Sequence, residues 1–212
     1  LNRRFIQCDV FSNVPTKGNG LAVVNDADDL STEQMQSFAA WTNLAETTFI
    51  LKPDNPAADY RLRIFTPSYE MPFAGHPTLG SCKSWQHWGG IPKKEGVIVQ
   101  QCEVGLIEIR THGHRNAFIA PLTQIEALPS ERLIAVVSKL GISQAQVAKS
   151  ALLTNGPVWN VLELVDADAV LEIKVSRSKD HELGFIGIFG RDNSKDNVDY
   201  EVRMLEASNG IT

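Results

Sequence analysis

The chain repeats itself. Tyr60-Arg61-Leu62-Arg63-Ile64-Phe65 recurs 140 positions later as Tyr200-Glu201-Val202-Arg203-Met204-Leu205, and Asp26-Ala27-Asp28 recurs at the same offset as Asp166-Ala167-Asp168. Asn19-Gly20-Leu21-Ala22-Val23 matches Asn155-Gly156-Pro157-Val158-Trp159 at an offset of 136. Three matches in one order at nearly one spacing imply a duplicated unit. A duplicated unit permits few folds: two pseudo-symmetric α+β lobes, with a ligand site expected in the cleft between them. The boundary falls after residue 120, so 1–120 is the first lobe, carrying Glu46 and Gly75-His76, and 121–212 the second. In the first lobe the Tyr60–Phe65 strand leads to a turn, to Gly75-His76 and to a helix. Its copy is followed by Glu206–Thr212 alone. The second lobe is therefore expected to be incomplete, and the chain to be part of a longer protein.

Local patterns fill in the lobes. Arg4–Phe11 alternates as a strand, Lys17-Gly18-Asn19-Gly20 is a turn, and Leu21–Val24 is a short buried strand. Ser31 with Gln34 forms a capping box, and Met35, Phe38, Ala39 and Thr42 follow at helical spacing, giving a helix over Thr32–Asn43. Thr47–Leu51 and Tyr60–Thr66 read as strands. Pro77 suits the first position of a helix running to Trp88 and stopping at Gly89-Gly90. Val97–Gln101, Leu106–Thr111 and Asn116–Ala120 form a meander, Pro121–Pro129 reads as a linker, and a helix over Glu131–Leu140 ends at Gly141.

Composition excludes several functions. A net charge of −5 with interspersed signs leaves no basic stripe for nucleic acid. No apolar run reaches the roughly 18 residues of a membrane helix, and the start lacks a signal-peptide pattern. Cys8, Cys82 and Cys102 are scattered, with no CxxC pair. That spacing fits a reducing cytoplasm rather than zinc or disulfides. Gly18-Asn19-Gly20 lacks the spacing of a nucleotide-binding loop, and no metal-ligand spacing occurs, so neither a nucleotide nor a metal is expected.

Two stretches can carry chemistry. Glu46 stands where a helical pattern turns into a strand, flanked by Leu44 and Phe49. It reads either as an exposed turn carboxylate or as a part-buried acid/base whose pKa is raised by desolvation. Gly75-His76-Pro77-Thr78 sets a glycine and a histidine at a helix N-terminus, where free amides and the helix dipole suit a carboxylate. His76 then either relays a proton or merely substitutes for an N-cap. Thr78 reads as a first-turn structural residue. His87 reads as packing beside Trp85 and Trp88, His112 and His114 as hairpin-turn residues, and His181 as a solvated one.

These residues resemble a known family. Asp9-Val10-Phe11, Gly18-Asn19 with Leu21–Val24, Asn43–Phe49, Arg63-Ile64-Phe65-Thr66-Pro67 and Pro72–Thr78 are similar, in order, to the phenazine-biosynthesis PhzF-like family. The resemblance is dense over residues 4–80 and thinner to Arg203-Met204. It implies a diaminopimelate-epimerase-like fold of two lobes. It also implies a cofactor-independent isomerase in which Glu46 carries a proton, while Gly75, His76 and Asn19 bind a small carboxylate-bearing substrate. A member of that family isomerises a dihydro-hydroxyanthranilate. Ala45 stands where the family commonly has serine, and Leu205-Glu206-Ala207 replaces Phe-Ala/Ser-Pro. The sequence ends at Gly210-Ile211-Thr212, before the family's Glu-Asp-Pro-x-Thr-Gly motif. The two-cysteine chemistry of the epimerase relatives is disfavoured, because Glu46 and Gly75-His76 hold the corresponding positions. The competing expectation is a non-catalytic binding or interaction protein that keeps the fold. The expected partner is a small molecule, not nucleic acid or membrane, with a homodimer left open.

Overall fold

Strand β1 (Phe5–Val10) pairs antiparallel with β2 (Asn19–Val24), in register Val10 to Asn19. β2 runs parallel to β3 (Glu46–Leu51), with Leu21 opposite Glu46, and β3 pairs antiparallel with β4 (Tyr60–Phe65). A two-residue β5 (Glu70–Met71) joins β4. The sheet continues through β6 (Val97–Cys102), β7 (Gly105–His112) and β8 (Arg115–Phe118), in the order β1-β2-β3-β4-β6-β7-β8. This is a computed structural model, and it describes residues 2–12, 14–113, 115–120, 122–155, 157–174, 183–194 and 199–206.

Two helices cover opposite faces of this sheet. Helix α1 (Thr32–Thr42) starts at a capping box in which both the Ser31 and Gln34 side chains engage the backbone, and it ends at Asn43 in the left-handed region. Its buried Met35 and Ala39 meet Val24, Phe49 and Phe65. Helix α2 (Gly75–His87) packs against β1, β2, β3, β4, β6 and β8, so the sheet curls around it. Leu21, Val23, Ile50, Leu62 and Ile64 face that side. Being covered on both faces, β2 and β3 carry continuous apolar stretches, Leu21-Ala22-Val23-Val24 and Phe49-Ile50-Leu51, whereas β4 alternates, with Arg61 and Arg63 only partly buried beside Leu62 and Ile64. The helix fits inside the curl because its buried side is small: Thr78, Gly80, Ser81, Cys82 and Ser84. A Cβ on Gly80 would lie 2.5 Å from Leu21 Cδ2 and 2.9 Å from Val10 Cγ2.

The start of α2 corrects the sequence expectation. The helix begins at Gly75, after N-cap Ala74, rather than at Pro77. The first four helical amides have no intrahelical partner, so a proline at the third position costs no hydrogen bond. Gly75 and His76 thus lie within the first turn.

The chain divides into two compact units, Leu1–Ala120 and Pro121–Thr212. The second unit holds β9 (Gln124–Glu126), α3 (Ser130–Leu140), β10 (Val147–Thr154), β11 (Val158–Leu164), α4 (Ala167–Leu171), β12 (Phe185–Arg191) and β13 (Tyr200–Glu206). β9 lies in the stretch expected to be a linker, which gains its strand by pairing with β10. β10 and β11 are antiparallel, β11 and β12 parallel across α4, and β12 and β13 antiparallel. The β1-β2-α1-β3-β4 segment shows the same series of relations, and β13 is the copy of β4 that the sequence repeat marks. Here α3 and α4 bury one sheet face, on Leu162, Leu164, Ile186, Ile188 and Leu205. The opposite face differs from unit one: Val202 and Met204 are 52% and 57% exposed, whereas Leu62 and Ile64 under α2 are 2% and 1%. No helix among the described residues is long and apolar enough to cross a membrane.

Candidate active site

The strand registers gather one end of the first unit. β2 and β3 are parallel, so Asn19 and Glu46 open their strands at the same end. β1 arrives there antiparallel, bringing Val10 and then Phe11. β4 leaves from there at Phe65, opposite Thr47, and the chain returns through β5 to the first turn of α2. Four separate segments thus meet within one site.

His76 Nε2 lies 3.2 Å from Glu46 Oε2, with the two side chains 9% and 15% exposed. The approach is off the direction of a good hydrogen bond at Nε2. On the other side of the ring, Asn19 Nδ2 lies 3.4 Å from His76 Nδ1. With the Asn19 amide as donor, Nδ1 carries the lone pair and the ring proton sits on Nε2, facing Glu46; with the Asn19 side chain turned over, its oxygen accepts from a proton on Nδ1 instead.

Two influences on His76 oppose each other. Burial pushes the imidazole down to about 4, while an ionised Glu46 favours the imidazolium. Burial is the larger of the two and keeps the ring neutral at neutral pH. The pair is therefore a neutral imidazole beside a part-buried carboxyl group, two groups able to hold one proton between them.

The first turn of α2 is also open at its end. Ala74 supplies no side-chain cap, so the amides of Gly75 and His76 point outward at the positive end of the helix. Gly75 has a packing reason as well: a Cβ there would lie 3.3 Å from Phe118 Cζ. Phe118 itself stacks edge-on with Phe73. Thr78 is structural, accepting from the Gln100 amide. Ser81 and Thr48 hydroxyls bond at 2.8 Å and tie α2 to β3.

Among the described residues, the remaining candidates do not join this cluster through a hydrogen bond, ion pair or ring contact. Burial pushes the Cys82 thiol up to about 12, which removes it as a nucleophile at neutral pH. His87 sits in the last turn of α2, at the other end from His76. His112 closes the β7–β8 hairpin opposite Arg115. His114, His181, Gly156 and Gly210-Ile211-Thr212 lie outside the described residues. Sequence reasoning gave Phe11 no role, although its ring lies beside His76, with centroids 6.4 Å apart. Its Asp9-Val10-Phe11 setting was the available signal.

With this geometry in hand, comparisons identify the relatives. The model of the PhzC-PhzF family, described as phenazine biosynthesis-like protein, matches residues 8–212. Antisense-enhancing sequence 1 of Schizosaccharomyces pombe is 43% identical over 177 residues, covering 80% of this chain and 60% of that protein. The trans-2,3-dihydro-3-hydroxyanthranilate isomerase of Pseudomonas chlororaphis is 53% identical over 77 residues, covering 36% of this chain and 27% of the enzyme. The crystal structure of a Bacillus anthracis PhzF-family protein superimposes with a TM-score of 0.83 at 20% identity, over 98% of this chain and 73% of that one. That likeness shows the fold. The chain spans about three fifths of the length of the yeast relative it matches.

Proposed function

The chain belongs to the phenazine biosynthesis-like family, and from that premise we propose that it serves an isomerase that moves a proton within a small carboxylate-bearing substrate. The observation that carries this reading is the Glu46–His76 pair, 3.2 Å apart at the uncapped first turn of α2. The Pseudomonas chlororaphis relative is named an isomerase.

In this reading the Gly75 and His76 amides bind the substrate carboxylate, and the helix dipole supports its charge. Glu46 takes a proton from one carbon and returns it to another. Both jobs need one group that alternates between acid and base, which a carboxyl group with restricted solvent access can do. His76, held neutral with its proton on Nε2, donates to Glu46 while the carboxylate is charged and relaxes when Glu46 carries the proton. Asn19 fixes that tautomer. Ala45, exposed beside Glu46, gives the site a methyl group and no hydroxyl.

Glu46→Gln keeps the shape and removes the proton-carrying site. Isomerisation should fall by about 10²–10⁴-fold while carboxylate affinity stays within a few-fold. Turnover equal to the parent would remove Glu46 as the acid/base. A protein that binds carboxylates but turns none over, with or without Glu46, would be the binding protein of the competing reading.

A further inference from the structure

Phe11 is out of place by every ordinary criterion. It is a bulky aromatic residue left 73% exposed. Its φ is +68°, a region that a residue with a Cβ adopts at a steric cost and that a large side chain rarely enters. Nothing gained by burial offsets that cost. The chain on either side of Phe11 is nevertheless tied down. The Asp9 carboxylate accepts from the Lys17 amide at 3.1 Å, closing the loop back onto β1. The Ser12 hydroxyl accepts from the Val14 amide at 3.0 Å, and Lys17 N donates to Val14 O at 3.2 Å. Backbone strain kept within a loop that is tied down on both sides is characteristic of positions that present a side chain to a ligand. What is presented here is a ring beside His76, tilted 58° to the imidazole.

We infer that Phe11 is the apolar wall of the ligand site, the surface against which the ring or other flat unsaturated portion of a carboxylate-bearing substrate packs. The inference rests on the reading of the α2 first turn as the carboxylate subsite. With the carboxylate on the Gly75 and His76 amides, the substrate body lies alongside the His76 ring, and Phe11 is the exposed apolar side chain on that ring. An aromatic side chain suits this task because it is large, rigid and selective for flat partners. The wall therefore selects cyclic unsaturated carboxylates over small aliphatic ones.

The test uses benzoate and acetate as probes, titrated while the His76 ring signals are followed by NMR. The parent protein should bind benzoate at least about 10-fold more tightly than acetate. Phe11→Ala should weaken benzoate by about 5–10-fold and leave acetate within 2-fold, and Phe11→Tyr should restore most of the benzoate affinity. Phe11→Gly relieves the backbone strain, so its melting temperature should stay within about 2 °C of the parent while benzoate preference is lost. Acetate and benzoate binding with equal affinity to the parent, or weakening equally in Phe11→Ala, overturns the wall and leaves the carboxylate subsite standing. If neither acid moves the His76 signals, both readings fail. A melting temperature lower by 5 °C or more in Phe11→Gly would make the residue a structural plug and overturn the wall as well.

Discussion

A buried histidine that has to stay neutral ties the stability of the fold to pH. His76 titrates at about 4 in the folded protein against about 6.5 in an unfolded chain. Between those values the unfolded state binds more protons, so stability rises with pH. The contribution is complete above pH 6.5 and lost as pH falls through 4, roughly 3 kcal/mol in all. Urea midpoints measured from pH 7.5 to 4.5 should fall accordingly, and the fall should shrink in His76→Gln; an unchanged slope in that variant would place the pH sensitivity elsewhere. Asn19 sets the other side of the ring. Asn19→Asp puts a carboxylate where an amide group now meets Nδ1, favouring a proton on that nitrogen. The His76 pKa, read by NMR, should rise by about 1–3 units; a lower or equal value would mean that Asn19 does not control the tautomer. Residue order exposed Glu46 and His76 as candidates because each sits at a break between patterns. It could not show that they touch. The contact depends on the strand register and on α2 starting at Gly75, neither of which a local pattern encodes.

Elements were legible where local chemistry decides them and obscure where tertiary pairing does. Ser31 and Gln34 marked the start of α1 because the capping box is a short-range bond pair. Gly141 marked the end of α3 because it adopts φ +67° there. Pro77 misled, since proline is tolerated throughout the first turn and not at its first position alone. β9 could not be read, because Gln124–Glu126 is exposed along its length and is a strand only through pairing with β10. The close seating of α2 was equally hidden: Gly80 looks like an unremarkable helical glycine until Leu21 and Val10 are placed against it. Any side chain there must push the helix off the sheet or force those residues from their rotamers. Gly80→Val should cost about 1–3 kcal/mol or more by overpacking, although valine itself has the better helix propensity. Thermal unfolding of the variant measures it, and a gain in melting temperature would show that α2 has slack the structure does not reveal.

At the scale of the molecule, the duplication was visible in sequence because it survives in strands whose pattern is tight. Tyr60–Phe65 and Tyr200–Leu205 keep the same alternation, and β4 and β13 each pair antiparallel with the strand that precedes them in the repeat, although β4 is also flanked by β6 whereas β13 ends its sheet among the described residues. The repeat is not symmetric in burial, however. Leu62 is 2% exposed beneath α2, and its counterpart Val202 is 52% exposed on a face that α3 and α4 do not cover. Equivalent positions should therefore answer oppositely to one substitution. Leu62→Lys buries an ammonium group among Leu21, Val23 and Ile64 with no partner, and should cost several kcal/mol or prevent folding. Val202→Lys in the 1–212 polypeptide should change stability by no more than about 0.5 kcal/mol. It should also improve behaviour in solution, because it interrupts an apolar surface shared with Met204, and such surface promotes association. Urea unfolding reports the first effect, and light scattering with binding of a hydrophobic dye reports the second. If Val202→Lys destabilises the polypeptide as much as Leu62→Lys, the β13 face is buried in solution and the asymmetry between the two copies is lost. If it leaves dye binding and scattering unchanged, that face is not the surface through which the polypeptide associates.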